Sequence, residues 1–207
     1  AWQDVAEGDT DPVARVGDFE AAFAAAPVQL DETYHTPGHS HAMMEPHATI
    51  ARWEDGKLTV WTSNQMINWM RGAIATTFGM DEADVRVDSP YVGGGFGVKL
   101  FVRSDTIMAA LAARKTGRAV KVMLPRPFVM NNTTHRAATI QRIRIGATED
   151  GRITAIAHED LSNTLPGGRG ENSTDQTRVF YAGDNRLITR RLAEMHLPEA
   201  NAMRAPG

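Results

Sequence analysis

Apolar residues recur along this 207-residue chain in two rhythms, one of period two and one of period close to four. The two-residue rhythm appears in Thr49 to Trp53 and Lys57 to Thr62, which flank Asp55-Gly56. Asp-Gly supplies the positive-φ residue that a tight turn needs, so this stretch predicts a β-hairpin. A second hairpin is predicted where Thr139 to Thr148 and Ile153 to Leu161 flank Asp150-Gly151. Its first strand runs Ile140, Arg142, Ile143, Arg144, Ile145, the pattern of one wet and one buried face. Residues 28–36 read as an entering strand, Val85 to Val92 and Arg186 to Leu197 as further strands, and Ala119 to Leu124 as a short buried strand stopped by Pro125 and Pro127. The helical rhythm places Met66, Ile67, Met70, Ile74 and Phe78 on one side of a helix over Gln65 to Phe78. Asp105 to Lys115 reads as an alanine-rich helix closed by Gly117, and a short helix is expected near Asp18 to Ala26. The pattern is that of an α+β fold: mixed sheet with β-hairpins and packed helices.

Composition narrows this picture modestly. An apolar content of 42% suits a globular chain. No run of about 18 apolar residues is present, so no membrane span is expected. Ala1-Trp2-Gln3-Asp4 does not open a basic-then-apolar leader. A net charge of −3 argues against a nucleic-acid partner. With no cysteine, disulfides and Cys-ligated zinc or iron–sulfur clusters are excluded within this chain. Residues 1–30 are expected to be a connector from a preceding domain and 31–207 one domain, truncated at its C-terminal end because no helix or strand follows Met203-Arg204-Ala205-Pro206-Gly207.

Several segments carry candidate chemistry. Gly93-Gly94-Gly95-Phe96-Gly97-Val98-Lys99 joins four glycines to one large aromatic. Backbone amides freed of Cβ atoms can approach an anion, and the ring offers a flat apolar wall. Val98 breaks both the dinucleotide G-x-G-x-x-G pattern and the Gly-Lys-Ser/Thr of a phosphate-binding loop, and a plain strand-to-helix turn is the competing reading. His39, His41, Glu45 and His47 are potential metal ligands that would share one side of an extended segment; alternatively Glu45 and Pro46 fix a buried turn and the histidines satisfy local hydrogen bonds. Asn131-Asn132-Thr133-Thr134-His135-Arg136 reads as a loop with side-chain turns, residues 163–172, with Pro166, Gly167, Gly168 and Gly170, as a mobile or functional loop, and Arg204 as either a surface residue or an anion clamp.

Taken in order, Ala42-Met43-Met44-Glu45-Pro46-His47, Trp61-Thr62-Ser63-Asn64-Gln65, Gly93 to Lys99 and Asn201-Ala202-Met203-Arg204-Ala205-Pro206-Gly207 resemble the molybdenum-binding subunit of the xanthine dehydrogenase/aldehyde oxidase family, from about residue 30 onward. Met130 to Arg136, Leu165 to Gly168 and Tyr181 to Asn185 are similar to the bacterial periplasmic aldehyde oxidoreductase branch. The resemblance implies the first molybdopterin-binding domain of the molybdenum hydroxylase fold and an enzyme that hydroxylates aldehydes to carboxylic acids, or N-heterocycles such as xanthine. Gly94, Gly95, Phe96 and Gly97 would line the molybdenum centre, Gln65 would support it, and Arg204 would contact cofactor and substrate. The metal would be held through the pterin and by no side chain directly. Glu45 is expected to be structural, and the family's general-base glutamate lies beyond this chain. His39 stands where purine-oxidising relatives carry glutamine, and Pro206 where they carry a stacking aromatic, which favours aldehydes. The implied cofactors are a molybdenum-pterin in its cytosine dinucleotide form, with 2Fe-2S and FAD on partner subunits. Other implied partners are the remainder of the same subunit and a small aldehyde or heterocycle; the implied setting is the bacterial cytoplasm or periplasm. The alternative is a non-catalytic module that holds a phosphate-bearing ligand or a metal.

Overall fold

The computed structural model describes residues 13–204 except 169, 172 and 182. They form two compact units, each built from discontinuous stretches of chain. The first comprises the chain through His39 together with Arg136–Ala200, and the second Ser40–His135 with the segment from Asn201.

The first unit is a five-stranded sheet in the order β1-β11-β10-β9-β2. Its strands are β1 (Ala14–Val16), β2 (Val28–Thr36), β9 (Thr139–Ala147), β10 (Ile153–Thr164) and β11 (Arg186–Glu194). β9 and β10 form the hairpin expected around Asp150-Gly151, with Gly151 at φ 88°. β2 adds antiparallel to β9, β11 runs parallel to β10, and β1 closes the far edge antiparallel. Helix α1 (Phe19–Ala25) is capped by Asp18, whose carboxylate accepts from the Ala21 amide at 3.1 Å. Phe19 packs with Ala155, Ala157 and Leu187 to make the small core under this helix. Residues 14–30, expected to act as a connector, here supply an edge strand, this helix and the start of β2.

β9 departs from the simple alternation the sequence suggests. Arg144 is buried, whereas Ile143 and Ile145 are only half-buried. Arg144 lies on the face that α1 covers, its guanidinium 4.5 Å from the centre of the Phe19 ring and paired to both Glu20 oxygens at 3.0 Å. A charged side chain can occupy a helix-covered face when aromatic rings flank its plane and a carboxylate satisfies its donors.

The second unit has a four-stranded sheet, β6-β5-β4-β7. β4 (Ala48–Glu54) and β5 (Lys57–Thr62) are the first expected hairpin; β6 (Val85–Asp88) lies parallel to β5, and β7 (Val120–Met123) antiparallel to β4. Helices α2 (Ile67–Phe78) and α3 (Ser104–Thr116) pack against it through Met70, Ile74, Ala109, Ala110 and Ala113, which meet Ala51, Leu58, Val60 and Val85. Gly117 ends α3 in the left-handed conformation that its position predicts. β6 stops four residues short of Val92, and β7 alternates between half-buried and exposed positions rather than being buried throughout.

Two short helices are absent from the sequence reading. α4 (Arg126–Asn131) opens right after Pro125 with Pro127 in its first turn, so the prolines that stop β7 also start a helix, and the run from Asn131 begins as its last turn. α5 (Asp175–Phe180) follows the loop expected over residues 163–172, whose first two residues, Asn163 and Thr164, are instead the end of β10. The two-residue strands β3 (His39–Ser40) and β8 (His135–Arg136) mark where the chain passes between units. No described helix is long and apolar enough to cross a membrane.

Candidate functional site

The glycine loop leaves β6 and returns to α3 within the second unit, and neighbouring segments dictate its course. Gln65, just ahead of α2, reaches into the loop: its Oε1 accepts from the amides of Gly97 at 3.0 Å and Lys99 at 3.3 Å, and its own amide donates to the Lys99 carbonyl at 2.8 Å. A side chain at Gly95 would collide with Gln65, and one at Gly97 with the Ala202 carbonyl. Gly97 also sits at φ 108°, where a Cβ atom is strained whatever the space. These two glycines are therefore required by what crosses behind them.

Phe96 lies between them at φ 53°, an uncommon conformation for an aromatic residue, with its side chain partly exposed. Arg204 is held over it. The Arg204 amide donates to the Phe96 carbonyl at 3.0 Å, and its guanidinium carbon lies 4.8 Å from the ring centre. The segment carrying Arg204 is fastened by the His41 ring nitrogen Nε2, 2.7 Å from the Ala202 carbonyl, and by the Asn201 amide donating to His135 at 2.8 Å. Gln65, Gly94 to Gly97 and Arg204, separated by up to 139 residues in sequence (204 − 65 = 139), are thus brought together in one cluster. The amides of Gly94, Gly95 and Phe96 make no hydrogen bond to another described residue. The Gly97 amide, by contrast, is already committed to Gln65.

Glu45 is engaged by three protein donors. Its Oε2 accepts from Ser63 Oγ at 2.6 Å, Lys99 Nζ at 2.5 Å and the Gly93 amide at 2.8 Å. Burial alone would raise its pKa, but the Lys99, Ser63 and Gly93 hydrogen bonds outweigh that and hold the carboxyl below its ordinary value. The expected histidine side does not form, because Ala42 turns the segment at φ 48° and His41 and Glu45 have other partners. Among the described residues no group of three or more His, Asp or Glu side chains could hold a metal ion. His47 is buried; that burial, with the charges of Lys99 and Arg103, pushes its pKa down to about 4 and keeps it neutral. His39 is exposed on β3, and Pro206 lies outside the described residues.

Sequence reasoning missed Lys99 and Ser63 as partners of Glu45. The only available signal was their presence inside two of the quoted motifs, since the three residues are far apart along the chain. It also missed Trp69 and Phe101, whose rings stack at 5.6 Å beside the loop's exit.

Comparison with known proteins places this geometry in context. The model of the molybdopterin cofactor-binding domain matches residues 5–207. The aldehyde oxidoreductase molybdenum-binding subunit PaoC of Escherichia coli K12 is 58% identical over 196 residues, which cover 95% of this chain and 27% of PaoC. The putative xanthine dehydrogenase molybdenum-binding subunit XdhA of the same strain is 30% identical, over 92% of this chain and 26% of XdhA. The chain therefore spans about a quarter of the length of these relatives. Quinoline 2-oxidoreductase from Pseudomonas putida 86 shares the fold at a TM-score of 0.83 and 22% identity, over 94% of this chain and 26% of that one. Aldehyde oxidoreductase from Desulfovibrio gigas does so at 0.78 and 21%, over 92% and 22%.

Proposed function

Because this chain belongs to the molybdopterin cofactor-binding domain family, we propose that it forms one wall of a molybdenum-pterin site in the catalytic subunit of an enzyme that oxidises aldehydes to carboxylic acids. The observation that carries this reading is the surface made by Phe96, Arg204 and three uncommitted amides at Gly94, Gly95 and Phe96. Such a surface fits a cofactor that presents oxygen and sulfur acceptors next to a small planar substrate. The amides can donate to those acceptors, and the exposed ring can border a flat carbonyl compound. When bound, the cofactor supplies oxidative hydroxylation, removing two electrons from the substrate.

The protein's share of the work is positioning and charge. Arg204 carries a permanent positive charge, so it can stabilise negative charge that develops on a substrate oxygen. Its stacking on Phe96 and its backbone bond to the same residue fix that charge relative to the loop. Gln65 holds the loop from behind through two amides and leaves its forward amides available. The high identity to an aldehyde oxidoreductase subunit supports aldehydes over purines, as does proline rather than an aromatic ring at position 206. The general base would come from a later part of the same subunit. Iron–sulfur and FAD partners would carry the electrons away, since this chain has no cysteine to ligate a cluster. We take the pterin to be the cytosine dinucleotide form and the setting to be a bacterial cytoplasm or periplasm.

The test uses the complete subunit purified with its partners. Molybdenum and pterin should be present at about one per catalytic subunit, and kcat/KM should be higher for benzaldehyde-type substrates than for xanthine. A preference for xanthine would overturn the aldehyde assignment, and stoichiometric zinc without molybdenum or pterin would overturn the enzyme reading as a whole.

A further inference from the structure

One oxygen atom ties together the two ends of the glycine loop. Glu45 Oε2 accepts from the Gly93 amide, the loop's first residue, and from Nζ of Lys99, its last. Ser63, just after β5, donates to the same oxygen and accepts from Lys99 Nζ at 3.1 Å. Nothing in the general need for a rigid loop calls for this arrangement. A fully buried ammonium is costly unless a carboxylate and further hydrogen bonds compensate it, and the Lys99 side chain is 0% exposed. An apolar residue of similar length would fill the same space without that cost.

What the ion pair adds is geometry. Between Gly93 and Lys99 the chain is constrained by Glu45 at both ends and by Gln65 at Gly97 and Lys99. The stretch left without such bonds is Gly94 to Phe96, which includes two positive-φ residues, Gly94 at 94° and Phe96 at 53°. A strained arc persists only where its surroundings over-determine it. The close approach is equally specific: a side chain at Gly93 would come within 2.8 Å of Glu45 Cβ.

We propose that Glu45 and Lys99 are a positioning pair for the proposed cofactor site, which set the Gly94–Phe96 arc by closing both ends of the loop on one carboxylate oxygen. The inference rests on the reading that this arc borders a molybdenum-pterin. It assigns neither residue any contact with substrate or cofactor. Their effect passes through the placement of the loop's free amides and of the Phe96 ring.

Glu45→Asp in the complete, partner-bound enzyme separates this role from charge balance. It retains the carboxylate opposite Lys99 but withdraws the oxygen by about one methylene, so a merely charge-balancing pair would tolerate it. A displacement of this order near a reacting centre costs roughly 10- to 100-fold in rate. We expect Glu45→Asp to retain molybdenum and pterin and to melt within a few degrees of wild type. Its molybdenum(V) electron paramagnetic resonance spectrum should shift, and kcat should fall roughly 10- to 100-fold with a smaller change in KM. Lys99→Met, which leaves a partly exposed Glu45 rather than a buried unpaired ammonium, should show the same spectral shift. Unchanged spectra and kcat in both variants would overturn the inference, as would losses that simply track melting temperature or subunit yield. Wild-type enzyme lacking molybdenum and pterin would instead overturn the reading on which the inference stands.

Discussion

At the scale of single residues, what was legible in the sequence was chemical type and what was hidden was partnership. Glycines, a phenylalanine and a lysine in one short run mark a special loop. Nothing local marks Lys99 as buried or Glu45 as its partner, because the pair spans 54 residues with three strands, β4, β5 and β6, and the helix α2 between them. Gln65 was legible through its neighbours Ser63 and Asn64, yet its actual work, accepting two loop amides, depends on where the loop returns. His47 shows the same limit from the other side: it belongs to a histidine-rich run, but burial decides its behaviour. A histidine whose folded pKa is lowered from 6.5 to about 4 resists protonation when folded and accepts it when unfolded. Between these values the unfolded state binds more protons, so stability falls as pH drops from 6.5 towards 4, by about 3 kcal/mol over the whole window. Asp105, whose pKa burial raises, acts in the opposite sense in the same unit, so the measurement must be a difference. Hydrogen exchange of β4, β5 and α3 in the full-length subunit, wild type against His47→Leu, should show the wild type losing more stability between pH 6.5 and pH 4. Parallel pH profiles would refute the assignment.

At the scale of elements, strands and helices followed the apolar rhythm closely where the rhythm had one cause. Both Asp-Gly hairpins form, α2 and α3 fall within a residue or two of their expected spans, and Asp18 caps α1. The failures occur where two causes compete. α4 was hidden because prolines that end a strand also suit a helix's first turn, and six residues are too few for a periodic signal. β9 misled because its arginines differ: Arg142 is at the surface, paired with Asp31 at 2.7 Å, while Arg144 lies under α1 against Phe19, Glu20 and Glu159. The strand's alternation is genuine, but the charged face is the one the helix covers. Substitution should separate the two residues. Arg144→Ala removes a buried, stacked guanidinium and leaves Glu159 without its closest cation, so it should destabilise the first unit by about 2–4 kcal/mol. Arg142→Ala breaks a solvent-screened pair and should cost less than about 1 kcal/mol. Hydrogen-exchange protection of β9 and β10 in the full-length subunit reads both, and equal losses would show that Arg144 is not an integral part of that packing.

For the molecule as a whole, local pattern conveys least, because the division of the chain follows pairings between distant segments. Residues 31–207 read as one continuous domain, yet β2 and β9 are antiparallel neighbours with the whole of Ser40–His135 inserted between them. The insertion leaves and re-enters at adjacent points: Thr36 pairs with Thr139, and their hydroxyl oxygens are 2.7 Å apart. That spacing is what a two-residue hairpin turn bridges. The first unit also has its own core around Phe19, Ala155, Ala157 and Leu187 and a complete set of sheet pairings from β1 to β2. If its fold is encoded independently, joining Thr36 to Thr139 through Asn-Gly should preserve it. A chain of residues 14–36, Asn-Gly and 139–200 should then give a β-rich circular dichroism spectrum and one cooperative urea transition, with slow amide exchange on β9, β10 and β11. The same chain with Arg144→Ala should unfold at lower urea. A spliced chain that stays unfolded at all urea concentrations, or exchanges uniformly fast, would show that the first unit draws its stability from segments beyond its own strands.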